Sequence, residues 1–513
     1  MMTAPLPDLA NMDADALRQL VQAGMAQRQA LQDEILYKDT KIAQLVHEIA
    51  GLRRYRFGKK GEQLSGVQGT LLDEAVEADI AAIEAELEQL AGAPAADRNK
   101  GQPKRAPLPD HLPRTEYRHE PEHTTCPCGC QLLRIGQDVS EKLDYTPGLF
   151  SVERHIRGKW VCKQCETLIQ APVPAHVIDK GIASTGLLAQ VLVAKYADHL
   201  PLYRQEKIFE RAGLKLARST MAQWVGACGV QLQPLVDALR QAILTHRVLH
   251  ADETPVQLLK PGSGKTHKAY LWAYAPGAFE ALRAVVYDFT EGRAGEHARS
   301  FLGDWQGNLV CDDYAGYKDS FTKGVTEIGC MAHARRKFFE LHVSSKSQLA
   351  QAALKYVGML YDIERHIKAF SDEDRLVFRQ DYAKPITDAL HQWMLAQRAR
   401  VPDGSATAKA IDYSLKRWVA LTRYLDDGQL PIDNNHIEQQ IRPIAIGRNN
   451  WLFAGSLRAG KRAAAIMSLI QSAKLNGHDP YAYLKDILTR LPTQPASRIA
   501  ELLPHNWSLQ TTD

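Results

Sequence analysis

The 513-residue chain is sparing in several things, and each scarcity excludes a class. No window offers the eighteen or so uninterrupted apolar residues of a membrane span, and Met1 to Ala10 lacks the basic-then-apolar order of a secretory signal. A cytoplasmic protein is expected. Neither sign of charge dominates: 63 Lys and Arg stand against 59 Asp and Glu, a net +4, so charge alone names no nucleic-acid partner and distribution has to decide. There are 8 cysteines. Five of them, Cys126, Cys128, Cys130, Cys162 and Cys165, share one short segment, which in a reducing compartment favours a metal over disulfides.

What is present divides the chain. Residues 1–100 read as helical. Leu31, Ile35, Lys38, Ile42, Leu45, Ile49 and Leu52 step by fours and threes along a helix over 14–53, a short zipper-like seam. The alternative is a helix packed on its own domain. Arg53, Arg54, Arg56, Lys59 and Lys60 follow, suited to phosphates or simply to solvent. A second helix covers 71–90, and 91–113 has the Ala, Pro, Gly and basic content of a linker.

Residues 114–175 form a zinc-binding segment. The distal Cys162 and Cys165 have the spacing of a tetrahedral half-site. The proximal half is irregular, so two of Cys126, Cys128 and Cys130 complete it, with His123 in reserve. The ion would be structural.

Residues 181–235 suggest a helix-turn-helix: helices at 202–209 and 219–227, Gly213 in the turn, Ser219 as N-cap, and Arg218, Thr220, Gln223 and Trp224 facing DNA. Residues 245–455 read as a mixed sheet with flanking helices, interrupted by a helical insertion over 345–430. Strands are expected at 248–251, 269–275, 282–289, 308–311 and 327–330. A helix starts at Asp433, a Gly and Asn loop occupies 447–450, and 456–513 is helical.

The acidic residues carry the sharper chemistry. Asp252 ends the apolar run 248–251, and Asp312 and Asp313 end the run 309–311. Charged groups finishing buried strands are costly unless a cation compensates them, and oxygen ligands on adjacent strands suit Mg²⁺ or Mn²⁺. Glu438 offers a third carboxylate, one turn before Arg442. Turn formation and a Glu438 to Arg442 pair are the structural alternatives. Gly264, Lys265 and Thr266 imitate the end of a phosphate-binding loop, but the first glycine of that pattern falls at Leu259, so no nucleotide site is expected.

At this point longer words are recognisable. Ala-Asp-Glu-Thr-Pro-Val from 251, Cys-Asp-Asp-Tyr-Ala-Gly-Tyr from 311, Cys-Met-Ala-His-Ala-Arg-Arg-Lys-Phe from 330 and Asp-Asn-Asn-His-Ile-Glu-Gln-Gln-Ile-Arg-Pro from 433 stand together with Gly-Arg-Asn-Asn-Trp-Leu-Phe-Ala-Gly-Ser from 447. With them the chain resembles, over nearly its whole length, the insertion sequence 66 family of DDE transposases.

The resemblance implies a ribonuclease-H-like α/β core preceded by a zipper-like helix, a zinc ribbon and a helix-turn-helix-like segment. It implies catalytic, Mg²⁺-binding Asp252, Asp312 and Glu438. His333 and Asp313 are possible supporting residues, and Arg335, Arg336, Arg442 and Arg448 are candidates for phosphate contacts. The implied activity is binding of terminal inverted repeats, hydrolysis at the element's ends and joining of the 3′ hydroxyl to target DNA. Partners would be double-stranded DNA, further copies of the chain and accessory proteins of the same element. Three positions depart from the family pattern: Asp313 stands at its glycine, Gln439 at its arginine and Asn449 at its lysine.

Overall fold

The computed structural model describes residues 14–57, 67–91, 107–146, 148–179, 181–259 and 265–508. Lys59, Lys60, Gly264, most of the 91–113 linker and the side chains of Arg54 and Arg56 lie outside that description.

Two helices open the chain, α1 (Ala14–Phe57) and α2 (Val67–Ala91). The seam read from the sequence divides between two fates. Leu45, Ile49 and Leu52 are buried against Val76, Ile80 and Ile83 of α2, whereas Leu31 and Ile35 remain more than half exposed. Arg53 of the basic cluster pairs with Glu84 of α2 at 2.6 Å. The hairpin is bolted to the body by a buried ion pair, Arg462 to Asp79 at 3.0 Å, to which the Ser456 hydroxyl adds a short bond.

The zinc segment is a small sheet of β1 (Arg114–His119), β2 (Leu132–Thr146), β3 (Leu149–Cys162) and β4 (Leu168–Gln170). The long β2–β3 hairpin is antiparallel, β1 pairs with β3 in parallel and β4 takes the far end of β3. Three helices follow, α3 (Thr185–Tyr196), α4 (Leu202–Arg211) and α5 (Arg218–Ile243). The last differs from expectation at both ends. Ala217, not Ser219, takes the cap position, and the helix runs through Pro234 because its apolar face lies against α2, α3 and α4. Trp224 is consequently buried and cannot face DNA. Thr220 is half-buried, Arg218 also, and Gln223 is exposed.

The central sheet holds β5 (Val248–Leu259), β6 (Thr266–Pro276), β7 (Val286–Thr290), β8 (Asn308–Cys311) and β9 (Thr326–Gly329) in the order β7-β6-β5-β8-β9. The first three strands are antiparallel, and β5, β8 and β9 are parallel. Short helices α6 (Gly295–Leu302) and α7 (Lys318–Phe321) make the crossovers. β5 is far longer than the expected 248–251, because the hairpin with β6 pairs it along its whole length. Asp252 therefore sits inside a strand rather than at its end. Pro255 is tolerated there because the parallel pairing with β8 stops at His250, leaving that edge without a neighbouring strand.

After β9 come α8 (Met331–Ser345), α9 (Gln348–His366), α10 (Asp372–Phe378), α11 (Lys384–Arg398), α12 (Ala406–Lys416) and α13 (Trp418–Thr422). This helical insertion shares one core with Val248, Val310 and Ile328 of the sheet. It is latched from within by Arg379, fully buried, whose guanidinium holds Glu364 and the carbonyls of Tyr424 and Asp427.

The chain then returns in α14 (Asn435–Trp451), α15 (Leu457–Leu475) and α16 (Pro480–Arg490). Residues 447–450, expected as a loop, are helical. Their glycine serves packing: a Cβ on Gly447 would lie 2.2 Å from the His199 ring, so only glycine admits that approach. Ser468 and Ser472 of α15 accept the backbone N–H groups of Tyr287, in the edge strand β7, and of Val285, just before it.

Candidate functional site

Two places gather chemistry. In the first, the thiols of Cys126, Cys128, Cys162 and Cys165 converge, every sulfur within 4.8 Å of the others. Cys128 Sγ lies 3.7 Å from both Cys162 and Cys165. Four thiolates about 2.3 Å from a tetrahedral zinc would be separated by roughly 3.8 Å, so the donor set fits that ion. The Thr167 hydroxyl, then the Cys126 thiol, draw Cys165 down to about 6, toward the thiolate a metal requires. The sequence left three proximal cysteines in competition. Gly129, at φ +84°, turns the chain so that Cys130 leaves the cluster and its thiol bonds Gln164 Oε1 at 2.7 Å. His123 is exposed and outside the cluster.

The second place is built on β5. The parallel register pairs Val248 with Asn308 and His250 with Val310. Asp252 lies two residues beyond that pairing on β5 and Asp312 just past the end of β8, near enough for the charge of Asp312 to act on Asp252. The edge so opened is covered by α14, fastened at both ends. At its start Asn434, fully buried, donates from Nδ2 to the Ala251 carbonyl at 2.8 Å and bonds His250 Nδ1 through Oδ1 at 2.8 Å. Near its end Arg448 donates to the Pro255 carbonyl and to Thr254 Oγ1. Glu438 lies between these latches.

Burial, then the charge of Glu253, then those of Glu438 and Asp312 push the Asp252 carboxyl well above its ordinary value. Asp312 is half-buried, and its Oδ1 accepts the Tyr314 N–H at 2.8 Å. The three acids do not close to within 4.8 Å of one another; among the described residues that tight grouping falls instead to Cys330, His333 and Glu438.

Asp313 has a different occupation. It pairs with Lys318 at 3.0 Å and with Arg417 at 3.5 Å, and Arg417 also grips Glu327 and the Asp312 carbonyl. Glu253, on the opposite face from Asp252, is held by Arg293 and the Tyr317 hydroxyl. Neither acid is free for a metal.

Around Glu438 the charge is positive. Arg336 lies 3.7 Å from its carboxylate, and Arg335, Arg336 and Arg365 line a cavity of about 610 Å³ with Asn435 and Tyr361. Arg442 is exposed on α14, while Arg448 is committed to β5. Arg218, Thr220 and Gln223 stand apart from this group, on α5. Sequence reasoning missed the positioning roles of Asn434 and Arg417. Nothing in an asparagine just ahead of a helix distinguishes a cap from a strand latch.

Comparison with known proteins places the chain in a family. The family model described as Transposase IS66 family matches residues 180–462, the IS66 C-terminal element 468–505 and the zinc-finger binding domain of transposase IS66 123–166. A further model, described as Transposase C of IS166 homeodomain, matches 44–116. The chain belongs to the IS66 transposase family. It is 36% identical to the uncharacterized protein y4qI of Sinorhizobium fredii over 99% of both chains. It is also 35% identical to y4hP of the same organism, over 92% of this chain and 89% of that one. Family membership and the four-thiol cluster together support a transposase that engages DNA and carries structural zinc. Among the described residues no helix is long and apolar enough to cross a membrane.

Proposed function

We propose that this transposase works by metal-dependent phosphoryl transfer at Asp252, Asp312 and Glu438, in a ribonuclease-H-like core. One set of observations supports the reading: the charges of Asp312 and Glu438 both act on the buried Asp252, and the buried Asn434 bonds the start of the Glu438 helix to the carbonyl next to Asp252 on β5. A sheet of three antiparallel strands followed by two parallel ones, with one acid on its first strand in chain order and another just past its fourth, is consistent with that core.

The donor set fits hard divalent cations: three half-buried carboxylates, of which Asp252 has the charges of Glu253, Glu438 and Asp312 acting on it. Mg²⁺ or Mn²⁺ bound there would activate water and stabilise the attacking and leaving oxygens of an in-line displacement. The chain's own residues do the rest. Asp252, Asp312 and Glu438 hold the reacting centre; Arg335, Arg336 and Arg442 receive the DNA backbone; Asn434 and Arg448 keep α14 from drifting off the strand. Hydrolysis at each element end would leave a 3′ hydroxyl, which attacks target DNA without a covalent protein intermediate.

Terminal inverted repeats would be gripped by α5 through Arg218, Thr220 and Gln223, with the zinc segment alongside. The exposed upper half of α1 suits pairing with a second copy on DNA, and accessory proteins of the same element remain part of the proposal. Purified protein should nick a terminal-repeat duplex in Mg²⁺ and join a pre-cut 3′ end to a second duplex. Cutting without joining would reduce the assignment to a nuclease.

A further inference from the structure

Overlapping the three acids at Glu438 lies a second donor set, two of whose members, Cys330 and His333, the proposed phosphoryl transfer does not use. Cys330 caps α8, His333 is on its first turn and Glu438 is on α14, with one ligand atom of each within 4.8 Å of the others. His333 Nδ1 and Glu438 Oε1 are 3.7 Å apart. For a nitrogen and an oxygen about 2.1 Å from one tetrahedral zinc, the separation would be roughly 3.4 Å. Both atoms are buried, and neither has a hydrogen-bond partner. Two polar atoms aimed into one space and left unsatisfied call for a further group between them. The third donor is already oriented: the fully buried Cys330 Sγ accepts the backbone N–H of Asn434 at 3.2 Å, the kind of outer bond that fixes a ligating thiolate.

We propose that Cys330, His333 and Glu438 form a site for a soft divalent transition metal, zinc by its donors, which by claiming Glu438 holds the DNA-cleaving centre inactive. Sulfur, imidazole nitrogen and a single carboxylate select zinc over magnesium, and three protein ligands leave a fourth position for water. Coordination replaces the thiol proton, which passes to solvent. The second half of the proposal rests on the phosphoryl-transfer reading, because Glu438 cannot serve both ions in one geometry. The first half does not.

The test counts metal on the full-length protein. After zinc loading and removal of free ion, wild type should carry two zinc ions per chain, one on the four thiols and one here. Cys330→Ser and, independently, His333→Gln should each carry one, and Cys162→Ser should also carry one. Should buried Cys330→Ser fail to fold, the half-buried His333→Gln decides alone. One zinc in wild type, or two in both variants, overturns the site. In a second arm, stoichiometric excess zinc should lower Mg²⁺-dependent nicking of a terminal-repeat duplex at least about tenfold in wild type while sparing Cys330→Ser. Equal inhibition of both proteins overturns the restraint and leaves the site. Absence of nicking by wild type in Mg²⁺ removes the phosphoryl-transfer reading and the restraint with it, whereas the metal count still decides whether the site exists.

Discussion

Asn434 Nδ2 donates to the main-chain carbonyl of Ala251 at 2.8 Å, and both residues are wholly buried. Through this bond a helix that begins far along the chain is fixed one residue away from Asp252. An amide is needed because the same side chain must donate to that carbonyl and meet His250 Nδ1.

Removing it should be costly in two ways. Asn434→Ala strands a buried carbonyl and a buried imidazole, a loss of about 2 to 4 kcal/mol that urea unfolding would read. The proposed cleavage should fall as well, since Glu438 loses its fixed distance from Asp252.

The zinc ligands make a sharper prediction than stability does. Cys128→Ser should lower the zinc content of the protein by one ion per chain, and Cys130→Ser should leave it unchanged. Chelating that ion should speed hydrogen exchange across Leu132–Thr146 and Leu149–Cys162 while β5 to β9 keep their protection, because metal binding supplies folding free energy locally.

The ion pair of Asp79 and Arg462 should be worth little as a pair and much when broken. Arg462→Ala leaves a buried carboxylate without its partner, and a loss of about 3 to 5 kcal/mol is expected in thermal or urea unfolding. Replacing both with apolar residues of similar size should recover most of it.

The arginines should separate by role. Arg335→Ala and Arg336→Ala should leave the melting temperature unchanged, weaken binding to any duplex and each lower the slope of log affinity against log salt by about 1. Arg448→Ala should instead lower the melting temperature, because that guanidinium is spent on the Pro255 carbonyl and Thr254.

Much of this architecture was legible in the residues. The β-branched and aromatic runs located the central strands, the insertion showed itself as a long stretch with no strand pattern, and the heptad steps located α1. The misreadings have physical causes. β5 was cut short at Ala251 because Asp252, Glu253 and Pro255 interrupt the apolar run, yet a hairpin partner sustains a strand that its own composition does not advertise. Residues 447–450 read as a loop because glycine and asparagine usually break helices. Here the glycine makes room for His199, and the helix persists through its contacts. Trp224 was misplaced because one helix face cannot be assigned to DNA before its packing partner, α2, is known. The choice among Cys126, Cys128 and Cys130 depended on one backbone angle, at Gly129, which spacing does not encode.

Strand transfer bears most directly on the central claim. Wild-type protein, a pre-cut terminal-repeat duplex and a target duplex should give joined product in Mg²⁺. Asp252→Asn, Asp312→Asn and Glu438→Gln should each lower its rate at least about a hundredfold, with DNA affinity retained. Joining by Asp252→Asn at the wild-type rate would contradict the account, whatever the fold around it.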